Sequence, residues 1–195
     1  VIDFVDKLKL CNYKQNYTFA VCTCGLFSAY TINRFKKQAE RKNMHLNSGF
    51  TIKLPDNYIL IANLLRPEHE REKIIENSQI EINVVNAAIS ARVKTISKKY
   101  QGFLPRLVSA ISYPVYAYGR STKPFYATDA CTGCGLCESI CPVKMISLEN
   151  GKPVWKKGKC AQCIGCLHRC PSKAIQHGRK TIKRGRYVNP KSRFL

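Results

Sequence analysis

Two short stretches in the N-terminal half alternate apolar and polar side chains, and each alternation predicts a β-strand. In residues 17–24, Tyr17, Phe19 and Val21 fall on one face at a period of two, and the stretch ends at Gly25. The second stretch is residues 50–54, which a Pro-Asp-Asn turn sequence ends. The first stretch is almost wholly uncharged, so we expect its strand to be buried.

A helix is predicted after each strand, because apolar residues there recur at steps of three and four. The first helix spans residues 26–43, and the second begins at Pro67 and extends to about Lys98. Acidic residues near the start of the second helix complement its dipole. The order strand–helix–strand–helix predicts an α/β fold with a parallel sheet.

Half of such an architecture is missing from the sequence. A parallel sheet has helices on both faces, and two strands are too few to form one. The chain also opens without Met, on a helical apolar pattern over residues 1–8 that has no capping residue. We therefore expect residues 1–100 to be the C-terminal part of a truncated α/β domain.

The remainder of the chain changes character twice. Residues 101–123 contain two prolines and no acidic side chain, which predicts an irregular linker. Residues 124–178 are rich in cysteine and predict a second domain. Residues 179–195 form a basic tail with seven Lys and Arg and no Asp or Glu. No apolar run approaches the ~18–20 residues of a membrane span.

Eight of the 11 cysteines form an internal duplication with an offset of 29 residues. Each copy has the spacing Cys-x2-Cys-x2-Cys-x3-Cys-Pro, which resembles the two-cluster run of bacterial ferredoxins. Structural zinc sites usually have two CxxC pairs and a longer spacer. Disulfides need an oxidising compartment, of which the sequence has no sign. The copies are Cys131, Cys134, Cys137 and Cys141, then Cys160, Cys163, Cys166 and Cys170.

The spacing predicts two [4Fe–4S] clusters whose ligands cross between the copies. Three cysteines at x2 intervals curl one loop around three corners of a cubane, and small residues such as Gly133, Gly135 and Gly165 permit tight loops. The fourth cysteine begins a helix that is directed away, so it binds the other cluster. Cluster 1 is assigned to Cys131, Cys134, Cys137 and Cys170, and cluster 2 to Cys160, Cys163, Cys166 and Cys141.

Several other residues have both a functional and a structural interpretation. His168 lies inside the second copy and either tunes its cluster by a hydrogen bond or is merely solvated. Trp155 either covers a cluster or fills the small core. Cys11, Cys22 and Cys24 have poor spacing for a third centre, so free thiols are expected there.

The order of these parts resembles the EFR-type flavodoxin–ferredoxin fusion proteins over nearly the whole chain. The matching segments lie at residues 22–25, 54–59, 125–131, 151–155 and 186–190. The resemblance implies a flavodoxin-like domain that carries FMN, a linker and a two-cluster ferredoxin domain. It also implies that Thr23, Cys24 and Gly25 form the loop that approaches the flavin ring. The alternative for these three residues is a buried strand end with a turn of small residues.

The sequence departs from that family in its phosphate-binding loop. Flavodoxin-like domains hold the FMN phosphate in a loop after their first strand, at a helix N-terminus. No such loop is present, and in the family order it would lie upstream of Val1. FMN is therefore expected only in the intact protein, and we expect no stoichiometric FMN on this chain.

The charge of the chain bears on its partners. There are 33 Lys and Arg against 12 Asp and Glu, for a net charge of +21. The tail from Arg179 to Arg193 suits an acidic redox partner, nucleic acid or simple solvation. No nucleic-acid motif accompanies it, so we expect redox protein partners and no nucleic acid.

Together these features predict a cytoplasmic electron-transfer iron–sulfur protein, coupled in the intact protein to a flavodoxin-like FMN domain. One alternative is a flavin-dependent iron–sulfur oxidoreductase with its substrate site in the missing N-terminal part. Another is a basic zinc-binding nucleic-acid module. No catalytic acid, base or nucleophile is identified, so the choice between carrier and enzyme stays open, as does the oligomeric state.

Overall fold

The computed structural model describes residues 15–26, 28, 30–60, 62–97 and 118–190, with isolated positions 5, 7, 103, 107 and 110. Cys11, most of residues 1–8 and of the 101–123 linker, and the last five residues lie outside this part. The chain divides into two compact units, residues 1–56 with 66–112 and residues 57–65 with 113–195. This division differs from the contiguous 1–100 domain of the sequence prediction, because residues 57–65 group with the second unit.

In its described residues, the first unit contains the two predicted parallel strands, each followed by a helix. Strand β1 (Phe19–Cys24) pairs in parallel with β2 (Ser48–Lys53), in a register that places Phe19 beside Ser48. Helix α1 (Thr31–Arg41) connects the strands, and helix α2 (Glu68–Ser90) follows them. Phe50 and Ile52 of β2 are buried against Val85 of α2. The α/β order predicted for this part is confirmed at the level of its parallel strands.

Helix α2 ends eight residues before the predicted Lys98. Its cap is Ala91, and Arg92 has a positive φ of 52°, which is incompatible with a continuing helix. The chain then returns alongside β2, where the Gly49 N–H donates to the Thr95 carbonyl at 2.9 Å. Ile96 forms an isolated parallel bridge with Gly49. The apolar residues after position 90 therefore extend a sheet edge rather than a helix.

The second unit consists of short strands and helices. Its elements are β3 (Phe125–Ala127), α3 (Leu136–Ser139), β4 (Ile146–Glu149), β5 (Lys152–Trp155), α4 (Gly165–Arg169), β6 (Ile175–His177) and a 3₁₀ helix (Lys180–Lys183). Antiparallel pairs form between β3 and β6 and between β4 and β5. Asn150 and Gly151 both have positive φ, at 50° and 73°, and join β4 to β5 in a hairpin, as an Asn-Gly sequence favours. No helix in the described part of the chain is long and apolar enough to cross a membrane.

Residues 57–65, here called the 57–65 segment, are part of the core of the second unit. Ile59 is completely buried and Leu60 is 7% exposed, and both belong to the apolar cluster that includes Phe125 and Leu167. The guanidinium of Arg184 donates a hydrogen bond to the Ile59 carbonyl.

The beginning of the basic tail is packed onto the same unit. Thr181 is fully buried, and its hydroxyl accepts a hydrogen bond from the His177 N–H at 2.8 Å. The Arg186 guanidinium donates to the carbonyls of Ile175 at 3.1 Å and Thr181 at 3.2 Å. These groups fix residues 181–186 to β6, whereas the side chains of Arg179, Lys180 and Lys183 are exposed, as expected of a solvated tail.

Candidate metal centre

The sequence duplication is repeated in the backbone of the cysteine loops. Left-handed φ angles occur in pairs 29 residues apart, at Gly133 and Gln162, Gly135 and Ile164, and Lys144 and Lys173. Gly165, expected to serve as a loop glycine, begins α4 instead, and Ile164 takes the left-handed position. Each short helix begins one residue before the third cysteine of its copy and ends before the fourth. The prediction that the fourth cysteine begins a helix is therefore wrong, because Cys141 and Cys170 follow the helices and lead into turns.

The cysteine that ends the second copy lies with the three that begin the first. Cys131, Cys134, Cys137 and Cys170 line one cavity, which is closed by the apolar side chains of Leu148, Pro153 and Ile175. The predicted ligands of cluster 1 therefore border the same cavity. Within the described residues, however, no three His, Cys, Asp or Glu side chains converge closely enough to surround a single metal ion.

The remaining four cysteines show the reciprocal relationship. Burial raises the pKa of Cys160, and the nearby thiols of Cys163 and Cys141 raise it further. Cys141, which closes the first copy, therefore lies within electrostatic reach of the start of the second copy. This is the neighbourhood predicted for cluster 2.

Without a cation nearby, burial raises the free energy of the thiolate form of the cysteines in this site. It raises the pKa of Cys166 to about 12, with added repulsion from Cys163, Cys160 and Cys137. Burial also raises the pKa of Cys137. Iron binds the thiolate rather than the thiol, so the binding of a cluster here releases protons and stabilises the fold.

Backbone N–H groups point at several of these sulfurs. The Met145 N–H donates to Cys141 Sγ at 3.3 Å, and the Gln162 N–H donates to Cys160 Sγ at 3.2 Å. At Cys170, burial would raise the pKa, but hydrogen bonds from Ser172 and from nearby backbone groups outweigh it and lower the pKa. Such N–H···S bonds stabilise negative charge on sulfur and tune the potential of a bound cluster.

His168 is buried and holds three segments of the second unit together. Its Nδ1 accepts a hydrogen bond from the Tyr187 N–H at 3.1 Å, so its Nε2–H donates to the Asn57 carbonyl at 2.8 Å. Burial lowers its pKa, which favours the neutral ring. The solvated interpretation is wrong, and these two bonds engage backbone rather than a cysteine sulfur. The apolar run after the turn at residues 55–57 is the sequence feature that could have indicated the contact between His168 and this segment.

Trp155 takes the structural role of the two that were predicted. Its ring stacks on Phe125 with the ring centres 6.0 Å apart, and Phe125 also meets His177 edge-on at 4.6 Å. Phe125 belongs to the buried core of the second unit. The aromatic group therefore fastens the β5 hairpin to the β3–β6 pair.

The residues predicted for a flavin loop lie at the end of β1 in the first unit. The Leu54 N–H donates to the Cys24 carbonyl at 2.8 Å, which extends the parallel ladder beyond β2. Burial raises the pKa of Cys24 to about 11, and the neighbouring Cys22 adds to the shift. Gly25 lies directly against the Asp56 side chain, where a Cβ would collide with the carboxylate. Thr23, Cys24 and Gly25 thus form a tight strand end, but Thr23 is exposed and Cys24 only half-buried, so the expectation of a buried strand is wrong for β1.

Comparisons with known proteins match the second unit. Residues 130–175 match the family model of the 4Fe-4S dicluster domain. The chain is 36% identical over 59 residues to a ferredoxin of Chlorobaculum thiosulfatiphilum, which covers 27% of this chain and 97% of that protein. Ferredoxin-1 of Chlorobaculum tepidum is also 36% identical over 59 residues, with 27% of this chain and 95% of that protein covered. A ferredoxin of Pyrobaculum islandicum is 42% identical over 50 residues, 24% of this chain and 45% of its own length. No solved structure matches significantly.

Proposed function

The C-terminal region of the chain belongs to the ferredoxin family with a 4Fe-4S dicluster domain, and we propose that it carries two [4Fe–4S] clusters that pass single electrons between partner proteins. The observation that supports this most strongly is the cavity shared by Cys131, Cys134, Cys137 and Cys170. A pair of separate CxxC zinc sites would have no reason to bring Cys170 to the first loop.

The chain's own residues would ligate, shield and tune the clusters. Cys131, Cys134, Cys137 and Cys170 would hold cluster 1, and Cys160, Cys163, Cys166 and Cys141 would hold cluster 2. The clusters would supply the one-electron chemistry. Leu148 and Ile175 exclude water from the cavity of the first loop. The N–H groups of Met145 and Gln162 favour negative charge on the second set of sulfurs.

We propose further that the electrons are exchanged with FMN in a flavodoxin-like domain to which the first unit contributes. The support is the parallel pairing of β1 and β2 and the position of Thr23, Cys24 and Gly25 at the carboxyl end of β1. Ligands of open α/β sheets bind beyond the carboxyl ends of the strands. No phosphate loop is identified among the residues of this chain, so we expect no stoichiometric FMN on these residues alone.

Pairs of cysteine substitutions test the ligand assignment. The variant Cys131→Ala/Cys170→Ala removes two ligands from one proposed cluster, so the other cluster, about four irons, should remain. The matched control Cys131→Ala/Cys141→Ala removes one ligand from each, so neither cluster should keep four cysteines. Iron, labile sulfide and the electron paramagnetic resonance signal of the reduced protein distinguish the two results. The opposite pattern, with an intact cluster only in the control, would show that each run keeps its own cluster.

A further inference from the structure

Charge in the second unit is divided between its two cysteine runs. Residues 118–190 contain three carboxylates, and all lie close in sequence to the first run: Asp129, Glu138 and Glu149. Residues 150–190, which include the whole second run, have none. The first run therefore has acidic neighbours together with Lys144 and Lys152, whereas the charged neighbours of the second run are all basic.

Four exposed lysines precede the second run, and we call them the basic rim: Lys123, Lys156, Lys157 and Lys159. They belong to two adjoining segments that hydrogen bonds hold together. The Thr122 hydroxyl donates to the Lys156 carbonyl at 2.8 Å, and Ser121 forms an antiparallel bridge with Lys159. The rim is therefore a fixed feature of the fold.

The basic rim adjoins the first ligand proposed for cluster 2. The Cys160 N–H donates to the Arg120 carbonyl at 2.8 Å, and the cationic Arg120 side chain lies close enough to affect the Cys160 thiol. Gln162 reaches the same segment, since its side-chain amide donates to the Gly119 carbonyl at 3.2 Å. Cys163, in the same run, is exposed. The segments that carry the lysines thus adjoin an accessible part of the cysteine loop.

The charge of a cluster does not cancel that of the rim. Four thiolates and an oxidised [4Fe–4S] core carry about −2 together. The four rim lysines and Arg120 are all cationic at neutral pH, so the region stays positive. The first run keeps Glu138 beside a cluster of the same negative charge, and its Asp129 is paired with Lys152 at 3.3 Å, so an acidic protein is attracted more strongly to the second run than to the first.

We propose that the basic rim is the docking surface for an acidic redox protein, which exchanges electrons with the unit at the Cys160–Cys166 end. This inference rests on the proposed electron-transfer function. One electron leaves the reduced iron–sulfur unit, and the oxidised partner takes it up. Charge complementarity identifies the partner's chemistry as a face rich in Asp and Glu.

Binding of a small acidic flavodoxin, used as the probe, tests this surface in the full chain. Affinity is measured by titration calorimetry at low and high salt, and electron transfer to the oxidised flavodoxin is followed by stopped flow. The test variant is Lys156→Glu/Lys157→Glu/Lys159→Glu. The matched control makes the same change in net charge on exposed lysines of the first unit, Lys37→Glu/Lys73→Glu/Lys94→Glu.

The rim variant should bind flavodoxin at least about tenfold more weakly and should lose the salt dependence, while the control changes less than about threefold. Equal losses in both variants, or binding that salt does not weaken, would overturn the proposal. So would loss of oligonucleotide or phosphatidylglycerol-vesicle binding in the rim variant with flavodoxin binding unchanged. Reduction of the wild-type clusters by dithionite reports separately on the proposed function, because it needs no docking partner.

Discussion

Replacing Ile59 with alanine should destabilise the second unit by about 2–5 kcal/mol. Ile59 is completely buried and belongs to the same apolar cluster as Cys137 and Cys141. Truncation would remove its packing and leave a cavity close to proposed ligands of both clusters. Because about 1.4 kcal/mol is a factor of ten in an equilibrium constant, the opened population should rise about 30-fold or more.

Anaerobic loss of the clusters to a chelator measures this effect through their visible absorbance. When opening and closing are fast, the rate of loss follows the population of the open form. Leu64→Ala is the matched control, since Leu64 lies in the same segment but is 41% exposed. Ile59→Val should fall between the two, at about 0.5–1.5 kcal/mol. Equal rates for Ile59→Ala and Leu64→Ala would refute the role of the 57–65 segment in the core.

Three further experiments test other parts of the structure. Gly133→Ala should prevent the binding of cluster 1, because Gly133 has a φ of 69° and a Cβ there would lie 2.7 Å from the Gly151 carbonyl oxygen. Gly178→Ala, with a φ of 59° and open space around the added Cβ, should lose only about 1–2 kcal/mol of stability. Similar iron contents in the two variants would contradict this. Alkylation of Cys24 near pH 8, measured by mass spectrometry, should be about tenfold slower than that of an ordinary thiol and should become faster up to about pH 11. The reason is that the Cys24 pKa is about 11 rather than 9.0, and the higher nucleophilicity of its thiolate offsets only part of the smaller thiolate fraction. A rate equal to that of the unfolded chain would show that the thiol is not buried. Fluorescence titration with FMN should show no one-to-one binding to this chain, and tight stoichiometric quenching would contradict that expectation.

Local patterns made the cysteine loops predictable from sequence. The spacing of the two runs, the duplication and the Asn150-Gly151 hairpin depend on neighbours within a few residues, and the structure repeats them in the backbone angles. Even so, the left-handed position of the second loop belongs to Ile164 rather than Gly165, because the surrounding loop determines a conformation that intrinsic preference would assign to glycine.

Contacts between distant segments were not predictable in the same way. Ile59 and His168 are separated by more than 100 residues, and each gives an ambiguous signal alone: a short apolar run and a lone histidine. Their burial in one unit depends on tertiary packing, which the periodicity of the sequence does not report. Helix α2 shows the same limit, since its apolar spacing continues after Ser90 while the chain turns back to pair with Gly49.

Iron and acid-labile sulfide in the anaerobically purified chain test the central proposal most directly. Two [4Fe–4S] clusters require about eight irons and eight sulfides per chain. About four irons and four sulfides per chain would show that the chain binds one cluster instead of two. Zinc bound to the cysteines with no labile sulfide would contradict the account altogether.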